Sequence, residues 1–122
     1  MKFKIANREI ALDKNPLIIA EIGINHNGNL DQAIAIADSA IKSGAEVLKH
    51  QTHIPDEEMS IEARKTVPGN SKLSIYKIIK KCSLSEIEEE KLMKYIKSKK
   101  KIFISTPFSK AAVDRLVQFN VP

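Results

Sequence analysis

The chain has 122 residues, 43% of them hydrophobic and 29% charged, with a net charge of +5; this composition fits one small globular domain and excludes a disordered chain. No apolar run nears the roughly 18 residues of a membrane span, and the opening MKFKIANREI has no apolar signal core. A single Cys82 excludes an internal disulfide and a paired-cysteine metal site, and the expected compartment is the cytoplasm.

Phe3, Ile5, Ile10 and Leu12 alternate with polar residues around Asn7-Arg8, which predicts a short hairpin within residues 1–14. After Pro16 the run from Leu17 to Gly23 reads as a buried strand, ending in the turn EIGINHNGNL, which holds more polar chemistry than turning requires. Asn29 is placed to cap a helix whose apolar stripe is Leu30, Ala33, Ile34, Ala37, Ala40 and Ile41, with Gly44 as its stop. Val47 and Leu48 open a second strand. From His53 to Cys82 the pattern loosens around Pro55, Pro68, Gly69 and Asn70, with a short helix expected over 74–81. Ser85 with Glu88, or Ser83 with Glu86, offers a capping box for a helix burying Leu84, Ile87, Leu92, Tyr95 and Ile96. Ile102 to Ile104 is a third strand running into Ser105-Thr106-Pro107, and Ser109 caps a last helix carrying Ala112, Val113, Leu116 and Val117.

Strands alternating with helices predict right-handed βαβ units and parallel strands. The basic run Lys97 to Lys101 closes a helix, where cations suit the dipole, and no aromatic interleaves with it to stack bases. Nucleic acid and membrane are therefore not expected partners. His26, His50 and His53 do not stand at a convincing ligand spacing, and Cys82 falls on a helical stripe as a core residue.

Residues two apart in a strand share a face. Glu21 at the end of the first strand, Lys49 and Gln51 at the end of the second, and Thr106 on the third therefore form a polar group at one end of a parallel sheet, where α/β folds build their sites. Singly, Glu21 and Lys49 read as an ion pair, Thr106 and Asn70 as turn residues, and Gln51 as a backbone partner. Together they suit a small anion beside a polyhydroxylated or acetamido ligand. Lys49 supplies a point charge, Thr106 a hydroxyl, Gln51 and Asn70 amides, and Glu21 an acid or base.

The segments IIAEIGINHNGNLDQA, SGAEVLKHQTHI, PGN with SIYKIIKKC, and IFISTPFSKAAVDRL resemble, in order, the N-terminal part of the N-acetylneuraminate (sialic acid) synthase family. The resemblance runs from Pro16 to Pro122, and KHQTH and PGN are more like the N-acetylneuraminate synthases than their pseudaminic or legionaminic acid relatives. It implies an α/β fold in which the hairpin precedes, over 15–122, the first three βα units of a TIM (β/α)8 barrel. It implies condensation of phosphoenolpyruvate with N-acetylmannosamine or a related 2-acetamido sugar, releasing phosphate, with a divalent metal (Mn2+ or Mg2+) whose ligands lie outside this chain. By motif match, Lys49 and Thr106 would contact phosphoenolpyruvate, Gln51 and Asn70 the acceptor sugar, and Glu21 would be the catalytic carboxylate. The full-length parent would be a homodimer. A TIM barrel takes about 200 residues at least, so this chain is expected to be a fragment, inactive alone. The other readings are a non-catalytic remnant or interaction module, and a different phosphoenolpyruvate- or sugar-phosphate-using barrel.

Overall fold

A computed structural model describes residues 2–122. Strands β1 (Lys2–Ile5) and β2 (Arg8–Ala11) pair antiparallel from Lys2↔Ala11 to Ile5↔Arg8. Leu12 lies outside the ladder and is exposed. Arg8 fastens the hairpin to the sheet: its Nε lies 2.6 Å from Glu46 Oε2, and a second guanidinium nitrogen donates to the Asn15 carbonyl at 2.9 Å. The bond from Arg8 to Glu46 draws the Glu46 carboxyl below its ordinary pKa.

The main sheet is parallel, in the order β3 (Ile19–Gly23), β4 (Val47–Thr52), β5 (Ile102–Pro107). The first strand starts two residues later than its apolar run predicts. The carbonyl of Ile18 already receives Glu46 N and Val47 N, and earlier residues would have to pair with the turn at Gly44. Between β3 and β4 runs α1 (Leu30–Lys42), and its boundaries are the ones the sequence sets. Asn29 Oδ1 accepts from Gln32 N at 2.8 Å, and Gly44 turns the chain out at φ +94°.

The connection to β5 carries two short pieces that periodicity does not reveal, α2 (Pro55–Glu58) and a 3-10 turn at Ala63–Lys65. Then come α3 (Ile75–Cys82) and α4 (Glu86–Ser98), and α5 (Lys110–Gln118) follows β5. Of the two possible capping boxes, the Ser85–Glu88 one forms with both arms in place. Ser83 is engaged elsewhere, its hydroxyl donating to the Ile79 carbonyl at the end of α3.

Ile22, Leu48 and Phe103 project from the strands into a core filled by Ala33 and Ala37 of α1 and by Leu92, Met93 and Ile96 of α4. Cys82 is buried, as its helical position predicts. Three predicted inner positions are corrected. Ile87 is 67% exposed, because the inward stripe of α4 is Glu89, Leu92, Met93 and Ile96, with a charged residue in the place expected of an apolar one. On α5 only Ala112 and Leu116 are buried, while Val113 and Val117 stay exposed. On the face of opposite parity Val47 is buried, while Glu21, Lys49, Gln51, Ile104 and Thr106 are not.

Candidate active site

The ladder sets the site. Glu21 pairs with Lys49 and Lys49 with Ile104, while Gln51 pairs with Thr106 one row further toward the strands' C-terminal ends. Lys49 Nζ lies 2.9 Å from Glu21 Oε2, with both side chains only half buried. The register slips between Glu21 and Gly23. Gly23 takes a positive φ of 55°, and a Cβ there would stand 3.4 Å from Glu21 Oε1, 3.6 Å from Gln51 Nε2 and 3.8 Å from Asn25 Nδ2. The missing side chain thus leaves a polar notch between the ends of β3 and β4.

Four of the five sequence-predicted residues, Glu21, Lys49, Gln51 and Thr106, fall on this one face. Asn70 does not join them: it is exposed in the turn at Pro68–Ser71, and no side-chain hydrogen bond links it to the other four among the described residues. The turn after Glu21 is also less of a site than its polarity suggests. Asn25 Nδ2 donates to the Ile22 carbonyl at 2.9 Å, Asn27 Nδ2 to the Asn25 carbonyl at 3.3 Å, and Asn29 caps α1. Gly28 is required because a Cβ there would lie 2.3 Å from the Lys81 carbonyl at the end of α3.

Beneath the site, on the helix-covered side, lies a polar cluster that sequence reading does not assemble. His26 Nε2 and His50 Nε2 are 3.2 Å apart, and His50 Nδ1 is 3.1 Å from Glu89 Oε1. Thr52 Oγ1 donates to the same Glu89 oxygen, Ser105 meets Thr52 at 2.6 Å, and Arg115 holds the other Glu89 oxygen at 3.1 Å. Burial pushes the Glu89 carboxyl up, but the bonds from His50, Thr52 and Arg115 outweigh it and hold its pKa below the ordinary value. Its signals in sequence were the strand parity of His50 and Thr52 and the helical phase of Glu89 with Leu92 and Ile96. A charge inside a helix stripe reads as an interruption until its partners are known.

The donor set does not fit a divalent metal. Glu21 is the only acidic residue in the three strands and is paired to Lys49. The buried His26 and His50 face away from it with their nitrogens engaged. Among the described residues no three His, Cys, Asp or Glu side chains are grouped to hold an ion. Among the described residues no helix is long and apolar enough to cross a membrane.

The NeuB family model matches residues 35–122. The spore coat polysaccharide biosynthesis protein SpsE of Bacillus subtilis is 34% identical over 116 residues, which are 93% of this chain and 31% of SpsE. The N,N'-diacetyllegionaminic acid synthase of Campylobacter jejuni is 34% identical over 115 residues, 88% of this chain and 34% of that protein. Among solved structures, the N-acetylneuraminic acid (sialic acid) synthetase of Leptospira borgpetersenii superposes with a TM-score of 0.80 at 26% identity, over 99% of this chain and 39% of that one. The chain spans about a third of the length of these curated relatives. With most of its length matched by the family model and its α/β sheet shared with a sialic acid synthetase, the chain belongs to the NeuB family.

Proposed function

We propose that these residues form the first three βα units of a (β/α)8 barrel. Its active protein would condense phosphoenolpyruvate with an open-chain 2-acetamido sugar, N-acetylmannosamine or a close relative, giving a nonulosonic acid and phosphate. The observation that carries the reading is the Glu21–Lys49 pair, with Gln51 and Thr106 on the same open face at the C-terminal ends of parallel strands, in a chain of this family. In this reaction C3 of phosphoenolpyruvate forms a bond to the aldehyde carbon, and the aldehyde oxygen takes up a proton to become a hydroxyl. Water then adds at C2 and loses a proton, and the tetrahedral intermediate expels phosphate to leave a C2 ketone.

Lys49 provides a compact charge for the phosphoenolpyruvate carboxylate, and the Thr106 hydroxyl donates to the same substrate. Glu21, released from Lys49 as the anion arrives, accepts the proton of the attacking water. Gln51 holds the acceptor by its amide, and Asn70 is assigned to the acceptor by its motif alone. A divalent metal in the active protein would take its ligands from outside this segment.

The test is a pair of variants in the active protein carrying this segment. Lys49→Met should raise KM for phosphoenolpyruvate or lower kcat/KM by about tenfold or more, because hydrogen bonds to charged groups are worth about 1.5–3 kcal/mol. Glu21→Gln keeps the shape and removes the charge, and turnover should collapse in a protein that still folds. Unchanged phosphoenolpyruvate kinetics in the first, or near-normal kcat in the second, would remove that residue from its role.

A further inference from the structure

The residues of β4 and β5 that face the helices alternate with those that form the site. His50 lies between Lys49 and Gln51, Thr52 follows Gln51, and Ser105 precedes Thr106. Two of these three bond directly to one buried carboxylate, and the third reaches it through Thr52. Glu89 of α4 is 1% exposed. Its Oε1 accepts from His50 Nδ1 at 3.1 Å and from the Thr52 hydroxyl, and its Oε2 from Arg115 of α5 at 3.1 Å.

The bonds have a direction. An ionised carboxylate only accepts, so Thr52 gives its one hydroxyl hydrogen to Glu89. Ser105 must then donate to the Thr52 oxygen, 2.6 Å away. That bond crosses from β4 to β5 directly behind the row in which Gln51 pairs with Thr106. Just past it, Phe108 N donates to the Thr52 carbonyl at 3.2 Å. Ladder ends open more readily than their middles, and this one is closed by side chains outside the ladder. Through Glu89 it is also tied to α4 and α5.

We propose that Glu89, Thr52 and Ser105 are positioning residues for the condensation. They fix the Gln51–Thr106 row, and with it the alignment of the acceptor sugar on one strand with phosphoenolpyruvate on the next. The proposal deepens, and rests on, the assignment of Gln51 to the sugar and of Thr106 to phosphoenolpyruvate. Each substrate keeps its own contacts when the row loosens, so the loss falls on kcat more than on either KM.

Three variants in the active protein carrying this segment test it. Thr52→Val removes the hydroxyl and leaves His50 and Arg115 on Glu89. Glu89→Asp keeps the charge and withdraws the carboxylate by one methylene. In both, kcat should fall about tenfold or more with the two KM values within about twofold. Ile96→Val, in the core of the same helix and outside the polar cluster, should lower the urea midpoint and leave kcat within about twofold. A kcat that follows the urea midpoint alike in all three would make the cluster an ordinary stabilising one and overturn the proposal. Hydrogen exchange at single amides tests the anchor without reference to substrate. Phe108 N should exchange faster in Thr52→Val, while Ile102 N, which donates to the Glu46 carbonyl at the other end of β5, keeps its rate. Unchanged exchange at Phe108 overturns the anchor, whatever the enzyme does. Faster exchange with unchanged kcat overturns the positioning role, provided that Gln51→Ala raises the acceptor KM and Thr106→Ala the phosphoenolpyruvate KM. If those two variants leave both KM values unchanged, it is the substrate assignment that falls.

Discussion

At the scale of single residues, the hydrogen bonds from the turn to Glu89 have only one consistent set of donors. Glu89 accepts the Nδ1 hydrogen of His50, which leaves His50 Nε2 as an acceptor for the Nε2 hydrogen of His26. His26 Nδ1 is then left to accept Gly28 N at 3.2 Å. Every group is satisfied with both rings neutral, and one more proton would set two donors against each other. Burial, and then the neighbouring His50, lower His26 from 6.5 to about 4. In the unfolded chain His26 gains its proton near 6.5. In the folded chain it stays neutral until about 4, so the stability this provides is present above pH 6.5 and is lost as the pH falls toward 4. The lowered Glu89 carboxyl acts in the same direction at lower pH. Denaturant unfolding should therefore lose on the order of 2 kcal/mol between pH 7 and pH 5 through His26. His26→Gln can still donate to His50 and does not titrate, so its acid limb over this range should be flat. An equally steep limb in His26→Gln would assign the loss to other groups.

At the scale of elements, the local signals were legible because each is completed within one turn of chain. Asn29, Ser74, Ser85 and Ser109 all cap the helices that follow them, and Gly44 stops α1 at positive φ. Ser85 is the most consequential, since α4 carries Leu92, Met93 and Ile96 into the core and Glu89 into the polar cluster. Ser85→Ala removes the acceptor for Glu88 N and should cost about 1 kcal/mol, read as a lower urea midpoint with an unchanged slope. Ser83→Ala, outside the box, should shift the midpoint clearly less; equal shifts would mean the box is not what starts α4. The candidate site was legible for a similar reason: period two puts Lys49 with Gln51, and parallel strands align their ends. What was not legible depends on contacts between distant segments. His26 meets His50 across 24 residues, and His50 meets Glu89 across 39. Glu89 is buried and Ile87, expected inside, is exposed, because the cluster's hydrogen bonds make the burial of a carboxylate tolerable. The one-turn helix with Glu58 is too short to show a period, so its contact with His53 is not legible either.

At the scale of the whole molecule, the sheet has helices packed over one face and leaves the strand-end residues of the other uncovered. β3 and β5 each pair with β4 alone, so each leaves one edge without a ladder. Ile18 and Ile19, at the start of β3, are 54% and 46% exposed. An edge with unpaired amides beside apolar side chains recruits another chain, and proteins blunt such edges with charge. In a closed barrel the neighbouring strands would cover both edges, as the proposed architecture requires. The 122-residue chain should therefore self-associate on its own at micromolar concentration, with a sedimentation coefficient that rises with loading. Ile19→Lys places a charge on the edge without touching Ile22, Leu48 or Phe103 in the core, and should lower the association while leaving the far-ultraviolet circular dichroism unchanged. A chain that stays monomeric over a hundredfold range of concentration and melts in one sharp transition would show that the open face and edges are tolerated in water. The barrel reading would then lose its physical motive, and a self-sufficient three-stranded α/β domain would take its place.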